Sequence, residues 1–294
     1  MLSRVLKLLQ AEGWFDTATP FETSINLTRG ACLWLLLTRD GVSDTYVKFS
    51  DCVSLNLEAQ RCAAASTCYR SLVPRFVGYA QSEGLEVLVC RAVDYRTLNP
   101  KRFRDLNAKD PVFSDLVGYF AAMPGTTEVG GVMPMHNADI VTQLAAYFES
   151  NALARRWLHS DTVLRAASLP TMLQHGDLVL NNVGQTSAGA VIFDWEDFGA
   201  TCLPGFDLFT LELSLAGNAA ENLFAGRAGR ADAITRLVHD ACEAMRLALD
   251  DYKKLTPVYA LVFRYLKRNY GPAVRESMDR LLLDLDAQYS LSDV

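Results

Sequence analysis

Two short stretches of this chain carry side chains that could do chemistry together: QHGDLVLNN at 174–182, and FDWE at 193–196. Between them, VGQTSAGAVIF reads as a short extended piece, a turn over Gln185 to Gly189, and a β-branched run, which is a hairpin. Residues equidistant from a hairpin turn face one another, and 182 and 194 are symmetric about Ala188, so Asn182 and Asp194 are expected side by side. An amide oxygen and a carboxylate converging at strand ends make a hard-oxygen site suited to Mg²⁺, which takes few protein ligands and completes its shell with water and phosphate. Asp177, five residues before Asn182, would stand beside that metal, placed to accept a proton from an attacking hydroxyl. The aliphatic Leu178, Val179 and Leu180 between the polar ends would anchor the loop in a core.

The elements that must position these groups fall into two kinds. Up to about residue 93 the chain reads as strands around one helix. The runs 31–38 and 44–50 are joined by Arg39-Asp40-Gly41, a tight-turn signal, and the runs PRFVGYA and 85–93 by Gln81 to Gly84. Between these pairs, 54–72 has a helical stripe that Ser54 or Asn56 could cap. Ahead of them all, Leu2, Val5, Leu6 and Leu9 mark an amphipathic helix ended by Gly13. Its Arg4, Lys7 and Glu12 make it neither a secretory leader nor a membrane span. After residue 97 the pattern turns helical, notably over 137–159 and 232–252. A further core helix in VYALVFRYLKRNYGP is stopped by Gly271-Pro272, and its Arg264, Lys267 and Arg268 read as a solvated face. The glycine-rich stretches 123–134 and 225–232 read as mobile loops.

Composition narrows the function classes. A net charge of −6, with no basic run longer than Lys267-Arg268, leaves no electrostatic footprint for nucleic acid. Seven scattered cysteines without C-x-x-C spacing argue against a disulfide framework or zinc knuckle, and fit reduced thiols in a cytoplasmic protein with no membrane partner. His136, His159 and His239 lack metal-ligand spacing, and no Walker-type phosphate loop is present. Glu196, Asp197, Asp250, Asp251, Asp284 and Asp286 either line a pocket for a cationic substrate or form a solvated face.

The combination His175-Gly176-Asp177, Asn182, and Phe193-Asp194-Trp195-Glu196 resembles the catalytic and metal motifs of the aminoglycoside phosphotransferase and choline kinase family, relatives of the protein kinases. The resemblance implies a protein-kinase-like two-lobed α+β fold. A small antiparallel β-sheet lobe with one helix, residues 1–93, would bind nucleotide. A larger, mainly helical lobe, 94–294, would carry catalysis and substrate binding. It further implies Asp177 as catalytic base, His175 orienting its loop, and Asn182 and Asp194 as Mg²⁺ ligands. Lys48 would hold the α- and β-phosphates of ATP or GTP, with Glu58 as its ion-pair partner. The backbone of Cys90 to Ala92 would bind adenine, and Asp207 would be a buried support of the catalytic loop. The implied activity is transfer of the γ-phosphate to a hydroxyl of a small molecule such as an aminoglycoside, amino alcohol or sugar. A nucleotide-binding regulator without transfer activity and a protein kinase are the alternatives. The absence of a long activation segment between Asp194 and Asp207 favours a small acceptor. The acceptor's identity, any covering of the phosphates by Arg29 and Gly30, and the oligomeric state are left open by the sequence.

Overall fold

The computed structural model describes residues 1–27, 32–123, 125, 128–158, 161–223 and 232–292. Arg29, Gly30, His159 and the 225–231 part of the second glycine-rich loop lie outside the described residues.

The chain opens with helix α1 (Leu2–Ala11), followed by strands β1 (Glu22–Leu27), β2 (Leu33–Arg39) and β3 (Val42–Ser50), helix α2 (Asn56–Cys68), and strands β4 (Phe76–Ser82) and β5 (Leu85–Arg91). The five strands form one antiparallel sheet in the order β1-β2-β3-β5-β4. Four of them and both helices match the sequence expectation. The edge strand β1 was not anticipated, because its six residues are all exposed and carry no buried alternation. Both expected turns form in left-handed backbone, at Asp40-Gly41 (φ 50° and 75°) and Glu83-Gly84 (φ 48° and 75°), matching the twist of the strands they join.

Strand periodicity decides where the chemistry points. On β3, Val47 and Phe49 join Leu35, Leu37, Val87 and Val89 in a core covered by Val5 and Leu9 of α1. Successive side chains alternate faces, so Tyr46 and Lys48 must project from the opposite face, toward α2. That geometry makes α1 the cover of the sheet's outer side and leaves its inner side for the site.

Beyond β5 come β6 (Arg96–Thr97), α3 (Pro100–Arg104), α4 (Pro111–Ala121), α5 (Asn137–Tyr147), α6 (Ala152–Leu158), α7 (Asp161–Ser168), the hairpin β7 (Val183–Gln185) and β8 (Ala190–Ile192), then α8 (Phe206–Leu215), α9 (Ala233–Met245), α10 (Leu249–Leu266) and α11 (Pro272–Ser292). β6 pairs with β7 to make a second, three-stranded sheet. Two helices expected as long single segments are broken. The 137–159 run divides after Tyr147, and the Asn151 side chain caps the second piece by accepting the Ala154 N–H at 2.9 Å. The 232–252 run divides at Arg246, whose φ of 57° ends α9. The helices share a core that runs from Ala59 and Cys62 of α2 through Trp195 to Val258 and Leu261 of α10. Among the described residues no helix is long and apolar enough to cross a membrane.

Candidate active site

The loop 174–182 is held from below by a buried carboxylate. Asp207, in the first turn of α8, is fully buried and accepts the backbone N–H groups of His175 at 2.7 Å and Gly176 at 2.9 Å, together with the Tyr119 hydroxyl. Burial pushes its carboxyl above the ordinary range, and these donors work against that shift. Gly176 is left-handed (φ 88°), and a Cβ there would run into the Asp197 carbonyl oxygen, so the loop and the 195–197 turn can touch only at a glycine.

His175 is also fully buried. Its Nδ1 accepts the Asp177 N–H at 3.2 Å, which leaves Nε2–H to donate to the Phe193 carbonyl at 2.7 Å. One ring therefore sets the loop's conformation and ties it to the hairpin, while its face packs on Trp195 with centroids 4.6 Å apart. Leu178 and Leu180 are buried as expected, and Val179 is half-buried. The Asn182 Nδ2 donates to the Asp177 carbonyl at 2.9 Å, leaving the amide oxygen for a cation.

The hairpin register differs by one residue from the expectation. Val183 pairs with Ile192 and Gln185 with Ala190, so Asn182 faces Phe193, whose N–H it accepts at 2.9 Å. The centre of symmetry lies between Ser187 and Ala188 rather than on Ala188, because the turn is closed by Thr186 and Gly189. Asp194 follows one position later in left-handed backbone (φ 63°), a conformation uncommon for a non-glycine residue.

Asp194 nevertheless joins Glu58 of α2 and Lys48 of β3. Glu58, Asp194 and Glu196 each place a carboxylate oxygen within 4.8 Å of the others. The Lys48 Nζ lies among them, 2.7 Å from Glu58 and 3.3 Å from Glu196. Burial alone would depress the Lys48 ammonium, but the Glu58 carboxylate outweighs it and holds Lys48 above its ordinary value. Burial raises Glu58 in turn, against the pull of Lys48. Although the Asp194 residue is exposed, lost hydration at its carboxyl and the neighbouring Glu196 carboxylate raise it above the ordinary value. α2 is locked to this turn by Arg61, whose guanidinium donates to the Glu196 carbonyl, and by Tyr69, stacked on Trp195 at 5.4 Å.

Part of the backbone around Cys90 to Ala92, expected to bind adenine, is already engaged. Cys90 is paired inside the sheet to Tyr46 on one side and Phe76 on the other, and the Ala92 N–H donates to the Asp44 carbonyl at 3.0 Å. Cys90 instead turns its thiol inward, where burial pushes it up to about 12. One expectation needs correction: Lys267, expected on a solvated face, is not on one. It follows the last turn of α10, is only 5% exposed, and its Nζ donates to Asp177 Oδ2 at 2.6 Å. Burial would lower this ammonium, and the Asp177 carboxylate more than restores it. Nothing local marks Lys267: a lysine near a helix C-terminus is ordinary, and its partner lies 90 residues earlier. Glu196 stood in the 193–196 motif and among the candidate pocket carboxylates, but its pairing with Lys48, and the contact of Arg61 with its carbonyl, had no local signal.

The donor set fits a divalent cation. Asn182 offers an amide oxygen, Asp194 and Glu196 offer carboxylates, and the raised Asp194 carboxyl would be relieved by added positive charge.

No family model matches the sequence, and no curated protein sequence matches it. Solved structures do match over nearly the whole chain. A ternary complex of a mutant aminoglycoside phosphotransferase, APH(4)-Ia, with ADP and hygromycin B is 13% identical, with 96% of each chain covered and a TM-score of 0.61. Choline kinase from Cryptosporidium parvum Iowa II is 10% identical, covering 99% of this chain and 96% of its own, at a TM-score of 0.64. A putative fructosamine-3-kinase from Thermobifida fusca is 17% identical, covering 93% of this chain and 96% of its own, at 0.61. With its five-stranded antiparallel sheet, largely helical second half and end-to-end likeness to these structures, the chain has the kinase-like fold of the aminoglycoside phosphotransferases and choline kinases.

Proposed function

We propose that the protein is a Mg²⁺-dependent phosphotransferase that moves the γ-phosphate of ATP or GTP to a hydroxyl of a small molecule. The observation that carries this reading is the convergence of three distant segments: Lys48 with Glu58, Asp194 with Glu196, and the Asp177 loop fastened to Phe193 through His175. A half-buried lysine held charged by a carboxylate suits the α- and β-phosphates.

Asn182 and Asp194 would hold the cation, which when bound neutralises phosphate charge and fixes the phosphates' orientation. Asp177 faces the acceptor. In the transfer, the acceptor oxygen forms a bond to phosphorus as the bond from phosphorus to the bridging β-phosphate oxygen breaks. The nucleoside diphosphate leaves with that oxygen, and the hydroxyl proton passes to Asp177 and on to solvent. Since loose phosphoryl transfer needs little covalent help, most of the rate would come from positioning and charge stabilisation. The adenine edge would begin past Ala92, at Val93 and Asp94, whose backbone groups make no hydrogen bond among the described residues.

The test is nucleoside diphosphate release screened over aminoglycosides, amino alcohols, sugars and nucleosides, followed by Asp177→Asn on whichever acceptor responds. Turnover is expected to fall by about 10²- to 10⁴-fold, the range for a positioned proton acceptor, with nucleotide affinity retained. Equal turnover in the variant would remove Asp177 from this role.

A further inference from the structure

We infer that Lys267 is a working cation of the transfer site: in the free protein its ammonium holds the Asp177 carboxylate, and with nucleotide and acceptor bound it faces the oxygens of the phosphoryl group in flight. The inference rests on the phosphotransferase reading above and adds a residue and a role to it.

Geometry argues first. Lys267 Nζ is 2.6 Å from Asp177 Oδ2, on the carboxylate that would accept the acceptor's hydroxyl. A hydroxyl bound to Asp177 sits about 2.7 Å from it, and an oxygen poised to attack lies about 3–3.5 Å from its target atom. The transferring phosphoryl group is therefore one hydrogen-bond step beyond Asp177, within the region an ammonium on that carboxylate commands. Lysine has three donors. Among the described residues the Lys267 side chain hydrogen-bonds to Asp177 and, at a longer 3.4 Å, to the Tyr270 hydroxyl, with the Asp197 carboxylate also acting on it.

Burial argues second. An ammonium only 5% exposed is costly to maintain, and an ion pair serving solely to tether α10 to a loop could be replaced by apolar contact without loss. The Phe263 and Tyr270 rings also face the ammonium itself, with centroids 5.8 and 4.7 Å from Nζ. Two other cations of the described residues are already engaged nearby: Lys48 with Glu58 and Glu196 on the nucleotide side, and Arg61 with the Glu196 carbonyl. Charge that develops on the transferring group therefore meets Lys267 from the acceptor side. During the transfer Lys267 neither gains nor loses a proton: it shifts hydrogen bonds from Asp177 toward the phosphoryl oxygens.

The decisive measurement needs no knowledge of the acceptor. Binding of Mg²⁺ with ADP or GDP is compared with and without fluoroaluminate, which mimics the phosphoryl group in flight, in the wild-type protein and in Lys267→Met, Lys267→Gln and Lys267→Arg. Methionine keeps the stem's packing and removes the charge, glutamine gives a second neutral variant should methionine fail to fold, and arginine keeps the charge. Fluoroaluminate is expected to tighten diphosphate binding in the wild type. The neutral variants lose about 10- to 100-fold of that gain, the worth of one charge-assisted hydrogen bond, and arginine recovers part of it, while the diphosphate alone binds all four proteins alike. An equal gain in wild type and neutral variants, or no gain in any, overturns the inference and reduces Lys267 to a tether. A wild-type protein that binds neither diphosphate with Mg²⁺ overturns the phosphotransferase reading itself.

Discussion

At the residue scale the site depends on single atoms that admit no substitute. Gly176 is the clearest case, because its left-handed backbone lets the N–H reach Asp207 while its missing Cβ leaves room for the Asp197 carbonyl. Gly176→Ala is expected to lower unfolding free energy by at least about 1–2 kcal/mol from the left-handed conformation alone, with the steric conflict adding to it. Urea denaturation measures this, and an unchanged midpoint would show that the loop does not need that contact. His175 is a second such residue: its two ring nitrogens take opposite roles, so a side chain with only one of those functions severs either the loop or the link to Phe193. Both residues sit inside the motif and were legible as a pair. What they touch, Asp197 and Phe193, was not.

At the scale of elements, the placement of α2 matters most, since it carries both Glu58 and Arg61. The serine and asparagine near its start do not cap it. Leu55 occupies the cap position without a side-chain bond, and Glu86 of β5 supplies the acceptor, taking the Leu55 N–H at 2.6 Å, the Ser54 hydroxyl at 3.1 Å and the Tyr79 hydroxyl at 2.8 Å. Desolvation would raise this carboxyl, but the Leu55 N–H and the two hydroxyls outweigh it and hold Glu86 below its ordinary value of 4.5. A carboxyl depressed in the folded state stabilises it above the unfolded value, and that contribution disappears as pH falls through the folded one. Glu86→Gln is accordingly expected to lower the melting temperature at pH 7, with the difference from wild type shrinking below about pH 4.5 and gone in stronger acid. A difference that persists undiminished at pH 2.5 would assign the effect to packing instead.

At the scale of the whole molecule, the sheet has two separate apolar faces. The outer core under α1 contains Val5, Leu9, Phe15, Leu35, Leu37, Val47 and Phe49 and is distinct from the helical core that supports the 174–182 loop. Leu9→Ala, at a fully buried position, is expected to cost about 2–5 kcal/mol. Hydrogen exchange should show the loss in the amides of β2, β3 and β5 before those of α8 and α10, because the two cores can open in turn. Uniform loss of protection across the chain would mean that they unfold as one.

The sequence by itself determined the local parts: the His-Gly-Asp loop with its asparagine five residues on, the hairpin that returns the chain to Asp194, the Asp-Gly turn that starts β3, and the alternation that sends Lys48 opposite to Val47 and Phe49. These are legible because each depends on backbone preference and side-chain period over a few residues. The tertiary structure alone decided the rest. Turn closure by Thr186 and Gly189 moved the register by one. The sheet claimed the backbone of Cys90, and the Asp44 carbonyl claimed the Ala92 N–H. Packing of α10 against the loop turned Lys267 from a surface cation into the partner of Asp177. A charge has no local signature of its partner: whether it meets water or a carboxylate is settled only when distant elements pack, and burial then makes the pairing obligatory.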